Sequence, residues 1–362
     1  MNEILKKDDK IYVAGHRGLV GSAIMANLRR RGFTNVVGRS HAELDLLDPV
    51  AVRKFFVEER PVAVVLAAAH VGGIMANSLY RADFIMQNLG IQQNVIGEAF
   101  RSGVKRLLFL GSTCIYPREA PQPITEDALL TSPLEYTNEP YAIAKIAGLK
   151  MCEALNMQFG TDYVAVMPTN LYGPNDNFHL ENSHVLPAMM RKLHLAKLLG
   201  MNDMDTVRHD LDRRPVDGVD GTADDETILI TLSRYGIYPG KVRLWGTGSP
   251  LREFLWSEDM ADACVHVLLN VHFSYIAAEC GNEVRNTHIN IGTGEETTIA
   301  ALAGMIADEV GFDGTIEWDA SKPDGTPRKL CSVDRLRRLG WHPSVELPEG
   351  IARLYKWYIS YN

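Results

Sequence analysis

The stretch that decides the fold is Lys10-Ile-Tyr-Val-Ala-Gly-His-Arg-Gly-Leu-Val-Gly21. Its apolar first part predicts a short buried strand, and the residues after it predict a helix from Ser22 to Arg31. The glycines between them permit a tight turn and let the backbone approach a pyrophosphate at the helix N-terminus. A glycine pattern alone is weak evidence, but this one lies between a strand and a helix, which predicts dinucleotide binding. The predicted cofactor contacts here are Gly15, His16, Arg17, Gly18, Leu19, Val20 and Gly21.

The second predicted strand, 35–38, is followed by Arg39. NAD enzymes of this kind usually carry an acidic residue there to hold the ribose 2′-hydroxyl. Two guanidinium groups, Arg17 and Arg39, suit a 2′-phosphate instead, so we expect NADP rather than NAD. The alternative is that Arg39 is only a solvated loop residue. Asp45, slightly further on, can reach the adenine.

Three continuous apolar runs, at 61–69, 106–111 and 163–167, predict strands that are buried on both faces. They alternate with helices, including one from Asp83 to Ser102, so we predict an α/β fold with a Rossmann-type doubly wound parallel sheet. Ligands of such sheets bind beyond the carboxyl ends of the strands. The further predicted cofactor contacts lie at these ends and in the long helix: Ala67, Ala68, Ala69, Asn88, Leu110, Gly111, Pro168, Thr169, Asn170 and Leu171.

Tyr141-Ala-Ile-Ala-Lys145 places a phenol and an ammonium on one face of a predicted helix. We expect the ammonium to favour the phenolate and to lower the pKa of Tyr141, so that the phenol can exchange a proton with a carbonyl or hydroxyl. Taken alone, such a pair is more often a solvated ion-dipole contact. Ser112, at a predicted strand end, supplies a further hydroxyl near the expected ligand.

The composition is that of an ordinary globular protein, with 362 residues, 46% hydrophobic and 23% charged residues, and a net charge of −8. The acidic balance and the lack of a basic run argue against nucleic acid as a partner. The N-terminus is polar, and we expect neither a signal peptide nor a membrane span. The five cysteines are scattered, with no metal-ligand spacing, which disfavours disulfides and a metal site and suggests the cytoplasm.

Several motifs together resemble those of the extended short-chain dehydrogenase/reductases, and more closely those of the GDP-L-fucose synthase family. They are Gly15-His-Arg-Gly-Leu-Val-Gly21, Ala67-Ala-Ala-His-Val-Gly-Gly-Ile-Met-Ala-Asn77, Gly111-Ser-Thr-Cys-Ile-Tyr-Pro117, Asn138-Glu-Pro-Tyr-Ala-Ile-Ala-Lys145 and Met167-Pro-Thr-Asn-Leu-Tyr-Gly-Pro174. The resemblance covers nearly the whole chain, apart from about forty residues near 200–240.

The resemblance implies that NADPH and GDP-4-keto-6-deoxy-D-mannose yield GDP-L-fucose, through epimerisation at C3 and C5 and hydride transfer to C4. By the same resemblance Tyr141 donates a proton to the C4 oxygen, Lys145 tunes Tyr141 and holds the nicotinamide ribose, and Ser112 hydrogen-bonds the C4 oxygen. Cys114 is implied as the base that removes the C3 and C5 protons, and His184 as the acid that returns a proton and also borders the cofactor. Without the resemblance, the residues favour a buried core cysteine for Cys114 and an ordinary core or loop histidine for His184.

The first domain is predicted at 1–171, with a segment near 250–272 returning to it, and a smaller α/β substrate lobe at 172–362. An insertion at about 200–241 contains a predicted charged loop at 209–215 and a predicted helix at 222–236. Its aspartates do not follow calcium-loop spacing. The resemblance implies contacts with the GDP-sugar substrate by Lys192, Trp245, Arg252, Asp324 and Lys329. It also implies a homodimer through the helices that contain Asn88 and Tyr141.

Two other functions are compatible with parts of this pattern. A sister epimerase/reductase would act on another GDP-4-keto sugar, such as a heptose, and the residues near C6 that would decide this are not apparent from sequence. A silent NADP-binding regulator on the same fold would not need Lys145, Cys114 or His184, so the presence of these residues together with Ser112 and Tyr141 argues against it. A 4,6-dehydratase is disfavoured because Thr113 and Cys114 are not carboxylates.

Overall fold

A computed structural model describes residues 4–180 and 182–360, apart from the side chains of Ile74 and Met75. Its strands are β1 (Ile11–Ala14), β2 (Val36–Val37), β3 (Ala63–Leu66), β4 (Arg106–Leu110), β5 (Tyr163–Pro168), β6 (Asn170–Tyr172), β7 (Ile237–Tyr238), β8 (Lys241–Trp245), β9 (Leu251–Arg252), β10 (Phe254–Trp256), β11 (Ile289–Ile291), β12 (Thr297–Thr298), β13 (Thr315–Asp319) and β14 (Arg328–Lys329).

Its helices are α1 (Leu19–Arg30), α2 (Pro49–Glu59), α3 (Ile74–Leu79), α4 (Arg81–Arg101), α5 (Glu139–Phe159), α6 (Val185–Gly200), α7 (Met204–Arg213), α8 (Asp225–Arg234), α9 (Ser257–Asn270), α10 (Phe273–Ala278), α11 (Ile299–Val310), α12 (Asp334–Arg338) and α13 (Leu347–Ser360). The chain divides into two compact units. Unit 1 comprises the chain up to Leu171 together with Glu253–Glu295 and Leu330–Ser344, and unit 2 comprises Tyr172–Arg252, Glu296–Lys329 and the chain from Val345 onward.

Unit 1 is built on a six-stranded parallel sheet in the order β11-β5-β4-β3-β1-β2. Alternate residues of each strand point to opposite faces, and both faces are buried. Val13, Val65 and Leu108 lie in one core with α1 and α9, whereas Tyr12 and Phe109 lie in a second core with α2, α4 and α5. The predicted α/β, doubly wound parallel sheet is therefore present.

The later chain returns to unit 1 more extensively than the predicted segment at 250–272. Strand β11, placed in the substrate lobe by sequence, pairs in parallel with β5 and becomes the edge of the large sheet. The fully buried Glu253 carboxylate accepts hydrogen bonds from the backbone N–H groups of Thr293 and Gly294, both at 2.7 Å, and of Cys331 at 3.4 Å. Glu253 lies in the first returning segment and hydrogen-bonds to the second, so its carboxylate links the two. Its donors lie too far apart in sequence for a local pattern to indicate these contacts.

Unit 2 contains two three-stranded sheets, β13-β8-β7 and β12-β9-β14, and helix α6 packs against α7 and α11. The predicted charged loop at 209–215 is wrong for most of its length, because α7 continues to Arg213. The reason is that Asp210 is buried and forms an ion pair with the fully buried Arg191 of α6, at 2.7 Å. The helix predicted at 222–236 is present as α8, capped by Asp224.

The part of the chain that the structure describes has neither a membrane-spanning helix nor a metal-binding cluster. No helix among residues 4–180 and 182–360 combines the length and the apolar character that crossing a bilayer requires. In the same residues, no cluster of His, Cys, Asp and Glu side chains is arranged to hold a metal ion.

Arg106 attaches α9 to the sheet of unit 1. Its buried guanidinium, at the start of β4, donates to the carbonyl oxygens of Val267 and Leu268, both at 3.1 Å, and of Val271 at 2.6 Å. It also forms an ion pair with Asp162. One side chain therefore donates to three carbonyl oxygens around the C-terminal end of α9, where carbonyls lack helical partners.

We expect Arg106→Met to lower the free energy of unfolding by about 3 kcal/mol, because it removes the cation paired with Asp162 and leaves the carbonyl oxygens of Leu268 and Val271 without this donor. Urea denaturation followed by circular dichroism measures the change. Arg101→Met is the matched control, since this arginine is exposed on α4 and should cost less than about 1 kcal/mol. Equal losses in the two variants would contradict the role given to Arg106.

Candidate active site

Three glycines form the turn between β1 and α1. Close packing requires glycine at two of these positions and not at the third. Gly15 has φ +84°, and a Cβ there would lie 2.7 Å from the backbone nitrogen of Ala68. A Cβ on Gly21 would lie 2.1 Å from the carbonyl oxygen of Gly15. For Gly18, by contrast, the nearest atom to a Cβ is 3.6 Å away, so packing within the chain does not require glycine there.

Gly18 is also the N-cap of α1 and offers no capping side chain. The helix begins at Leu19, three residues before the predicted start, so Leu19, Val20 and Gly21 form its first turn. Their backbone N–H groups lack helical partners and face the N-terminal end, where a diphosphate binds. The turn therefore fits a dinucleotide.

Arg39 follows β2, which is shorter than the predicted strand at 35–38. A Cβ on Gly38 would lie 2.3 Å from the His16 ring, so the imidazole packs directly on this glycine. The Arg39 guanidinium forms an ion pair with Glu59, which also accepts from Lys10 at 2.8 Å. Arg39 is thus held in place rather than being a freely solvated loop residue, and it remains about one-third exposed.

The loop after β3 carries the predicted contacts Ala67, Ala68 and Ala69, and Asn88 of α4 fixes its course. The buried Asn88 amide accepts from the His70 N–H at 3.0 Å and donates to the carbonyl oxygens of His70 at 2.9 Å and Phe84 at 2.7 Å. Asn88 was predicted to contact the cofactor, and its contacts here are with backbone. Asp45 likewise makes a local turn, accepting from the Leu47 N–H at 2.9 Å.

Lys145 of α5 is buried and donates to the carbonyl oxygen of Leu110, at the end of β4, at 2.8 Å. Burial lowers the pKa of Lys145 to about 7. Tyr141, one turn earlier, packs edge-on against Phe84, and the Lys145 Nζ atom lies 5.7 Å from its ring centroid. The expected lowering of the tyrosine pKa is wrong for this structure: desolvation raises the pKa of Tyr141, and the ammonium is directed to a carbonyl instead.

Ser112 and Cys114 lie in the short 3-10 turn that follows β4. The Ser112 Oγ accepts from the Cys114 N–H at 3.2 Å, and both residues are partly exposed. Desolvation raises the pKa of Tyr141 and lowers the pKa of Lys145, and an electrostatic interaction with Cys114 is the second influence on each, raising the pKa in both cases. The structure therefore brings four of the five predicted catalytic residues together within unit 1.

The strand end at Pro168–Leu171 is occupied by structural contacts. The Thr169 N–H donates to the carbonyl oxygen of Ile291 at 3.0 Å, and the Asn170 amide donates to that of Glu253 at 2.8 Å. These contacts fix the backbone at the carboxyl end of β5, where the predicted cofactor contacts lie.

Unit 2 holds the other predicted catalytic residue and the predicted substrate contacts. His184 is the exposed N-cap residue of α6, and partial desolvation lowers its pKa. Lys192, two turns further along α6, is 8% exposed, and burial lowers its pKa to about 8. A single helix therefore presents both residues.

The remaining substrate candidates surround the sheet β12-β9-β14 and the end of β8. Arg252 and Lys329 are register partners on β9 and β14, so two cationic side chains lie side by side. Trp245 is 54% exposed, and the Lys322 ammonium lies 5.6 Å from its ring centroid. Asp324 accepts from the Thr247 backbone N–H at 2.7 Å and hydroxyl at 2.8 Å. An exposed indole with neighbouring cations suits a purine nucleoside diphosphate.

Sequence reasoning missed four residues of unit 1 around this site. His70 and Phe84 support Tyr141 and Asn88, and nothing in their spacing indicates it. Ser40 and Glu43 form a tight turn after Arg39, for which the Ser-x-x-Glu pattern was an available signal.

The chain is similar to known proteins over most of its length. The sequence profile of the NAD dependent epimerase/dehydratase family matches residues 11–214 and 218–292. GDP-L-fucose synthase 1 of Arabidopsis thaliana is 52% identical over 98% of this chain and 94% of that protein. GDP-L-fucose synthase of Escherichia coli (strain K12) is 47% identical over 97% and 96%.

Among solved structures, a GDP-D-glycero-L-gluco-heptose synthase from Campylobacter jejuni, determined in the presence of NADPH, has a TM-score of 0.90 and 40% identity over 98% of this chain and 99% of that one. The profile match spans most of the chain, and the curated relatives span nearly all of it. The chain belongs to the NAD dependent epimerase/dehydratase family and, within it, to the GDP-L-fucose synthases.

Proposed function

We propose that this protein is an NADPH-dependent epimerase and reductase that converts GDP-4-keto-6-deoxy-D-mannose to GDP-L-fucose. The observation that carries the proposal is the grouping of Ser112, Cys114, Tyr141 and Lys145 at the carboxyl end of β4, beside a dinucleotide turn. Near-full-length identity to curated GDP-L-fucose synthases supports it.

When bound, NADPH supplies the hydride for C4 of the sugar. The first turn of α1 fits its diphosphate, and Arg17 and Arg39 fit its 2′-phosphate. Lys145 and the loop at 67–69 border the place beyond the strand ends where ligands of such sheets bind.

Tyr141 acts as the proton donor to the C4 oxygen. Because desolvation raises its pKa, the phenol is protonated at neutral pH and is ready to donate rather than to accept. Ser112 and Tyr141 supply hydroxyl donors for the negative charge that develops on the C4 oxygen during both epimerisation and reduction. Lys145 supports Tyr141 from the next turn of α5.

Epimerisation beside a ketone proceeds through an enolate, so one group removes a proton and another returns one to the opposite face. We assign removal at C3 and C5 to Cys114, whose partly exposed thiol follows Ser112. We assign return of the proton to His184 of α6. In unit 2, Lys192, Arg252 and Lys329 are proposed to bind the diphosphate, Trp245 the guanine and Asp324 a hydroxyl of the substrate.

A heptose substrate is the second candidate, because a structure with a TM-score of 0.90 is described as a GDP-heptose synthase. Parallel assays with GDP-4-keto-6-deoxy-D-mannose and a GDP-4-keto-heptose, following loss of reduced nicotinamide absorbance, decide between them. Faster turnover of the heptose at equal concentration would overturn the fucose assignment.

We further propose a homodimer in the cytoplasm. Apolar side chains on the neighbouring helices α4 and α5 are exposed, among them Met86 at 70% and Ile143 at 42%, and such a surface favours association. The five cysteines are free thiols, which suits a reducing compartment.

Two substitutions should separate the half-reactions. Tyr141→Phe is expected to lower the reduction rate by at least about a hundredfold, because the C4 oxygen loses its proton donor. Cys114→Ser is expected to block solvent deuterium entry at C3 and C5 and to leave NADPH affinity unchanged. Nuclear magnetic resonance of the sugar in deuterium oxide and absorbance of the reduced nicotinamide measure the two steps.

Cys280→Ser is the control for thiol loss, since Cys280 is a partly exposed cysteine whose thiol contacts the carbonyls of Ile276 and Arg285. It should keep deuterium exchange. Normal exchange in Cys114→Ser would remove Cys114 from the mechanism.

The lowered pKa of Lys145 predicts a pH dependence of folding in the ligand-free protein. Between about pH 7 and pH 10 the unfolded chain, with an ordinary lysine pKa, binds one proton more than the folded chain. Raising the pH through this window should therefore stabilise the wild type relative to Lys145→Met, by about 3 kcal/mol in total. Urea denaturation at intervals across the window measures the difference, and exposed Lys105→Met should follow the wild type. A constant difference between wild type and Lys145→Met would contradict the burial of a titrating ammonium.

Met86→Glu combined with Ile143→Glu should convert the dimer to monomer, because each substitution places a charge in the proposed apolar contact. Light scattering coupled to gel filtration measures the mass. Val57→Glu, at a 60% exposed position on α2, is the control and should remain dimeric. A wild type that is monomeric at micromolar concentration would refute the assembly.

A further inference from the structure

The turn after Arg39 contains a carboxylate at a place where a phosphate is expected. Glu43 Oε2 accepts from the Ser40 backbone N–H at 2.7 Å and from the Ser40 hydroxyl at 2.6 Å. Both donors of Ser40 are thus directed to one anionic oxygen. The Glu43 side chain itself is exposed, so the fold does not bury it.

Cationic side chains lie around this carboxylate. The hydrogen bonds from Ser40 are the main reason that the pKa of Glu43 is lowered, and Arg17 and Arg39 add to the effect electrostatically. Arg39 is itself anchored by Glu59 and donates to the carbonyl oxygen of Gly38 at 3.0 Å. The two arginines and the two Ser40 donors therefore share one neighbourhood at the end of β2.

This donor set matches the requirements of a phosphate monoester. Backbone N–H, hydroxyl and guanidinium groups are the usual donors to phosphate oxygens, and the end of the second strand is where the adenosine ribose of a dinucleotide binds. A carboxylate that already occupies the Ser40 donors competes with an incoming phosphate and repels its charge.

We propose that Glu43 is a resident anion on the 2′-phosphate donor set, which NADP displaces from Ser40 on binding and which limits the preference of the enzyme for NADP over NAD. The inference rests on the proposed use of NADP. It makes Glu43 a specificity-determining residue that acts on the adenosine end of the cofactor, away from the reacting groups.

Glu43→Gln is the informative substitution, because the amide oxygen can still accept from Ser40 while the charge is lost. Titration calorimetry with NADP, NAD, 2′,5′-ADP and 5′-AMP measures the effect directly, without turnover. We expect Glu43→Gln to tighten NADP and 2′,5′-ADP about three- to tenfold at low salt, and to leave NAD and 5′-AMP within about twofold. Glu283 is an exposed carboxylate elsewhere in unit 1, and Glu283→Gln makes the same change in net charge. It should change neither the ratio of the NADP and NAD affinities nor that of the 2′,5′-ADP and 5′-AMP affinities.

Wild-type affinities test the cofactor assignment, and the change in their ratio tests Glu43. A wild type that binds NAD as tightly as NADP would overturn the use of NADP itself. With NADP preferred by the wild type, an unchanged or weakened NADP affinity in Glu43→Gln would show that the carboxylate is only a local cap of the turn. Equal tightening in Glu283→Gln would assign the effect to net charge and would also overturn the proposal.

Discussion

The hydrogen bond from Lys145 to the carbonyl oxygen of Leu110 is the contact on which the site depends. It fixes α5 against the last residue of β4, where the chain turns into Ser112 and Cys114. Tyr141 lies one helical turn from Lys145, so the same bond sets the position of the phenol relative to the thiol and the serine hydroxyl. Close packing supports it, because a Cβ on Gly148 would lie 2.6 Å from the Phe109 ring and 2.5 Å from the Gln92 side-chain oxygen. A larger residue at this position would displace the Gln92 and Phe109 side chains, so glycine allows α4, α5 and β4 to pack closely here.

Several buried polar side chains in unit 1 form hydrogen bonds with backbone groups. Asn88, Arg106 and Glu253 together satisfy main-chain groups in a loop, a helix end and two returning segments. Because an unpaired buried polar group is costly, this arrangement makes the irregular parts of the unit as well defined as the sheet. The groups left for chemistry differ from them. Ser112 and Cys114 are partly exposed, and Arg17 is exposed in the glycine turn.

The parts of this structure that were predictable from sequence are those that short-range patterns encode. The apolar strands, the glycine turn and the Tyr141–Lys145 spacing each lie within about a dozen residues and follow from burial and helical geometry.

The predictions that failed depend on distant partners. The second half of α7 is predicted as part of a charged loop at 209–215, because the sequence does not show that Asp210 is buried beside Arg191. The pKa of Tyr141 was predicted to fall because the sequence shows the lysine but not the desolvation or the carbonyl that engages the ammonium. The proximity of Arg17 to the turn formed by Ser40 and Glu43 likewise could not be seen from sequence. The roles of His184 and of the residues in unit 2 remain predictions from resemblance.

The discontinuous course of unit 1 has a consequence for its synthesis on the ribosome. The first 171 residues emerge with β5 as an unprotected edge of the sheet, because β11, its neighbour, is translated more than a hundred residues later. The Glu253 contacts cannot be completed until Cys331 has been translated. Unpaired strand edges invite association between nascent chains. The chain through Cys331 must therefore leave the exit tunnel before the nucleotide-binding part closes, and until then chaperones that shield strand edges can bind the exposed strand β5.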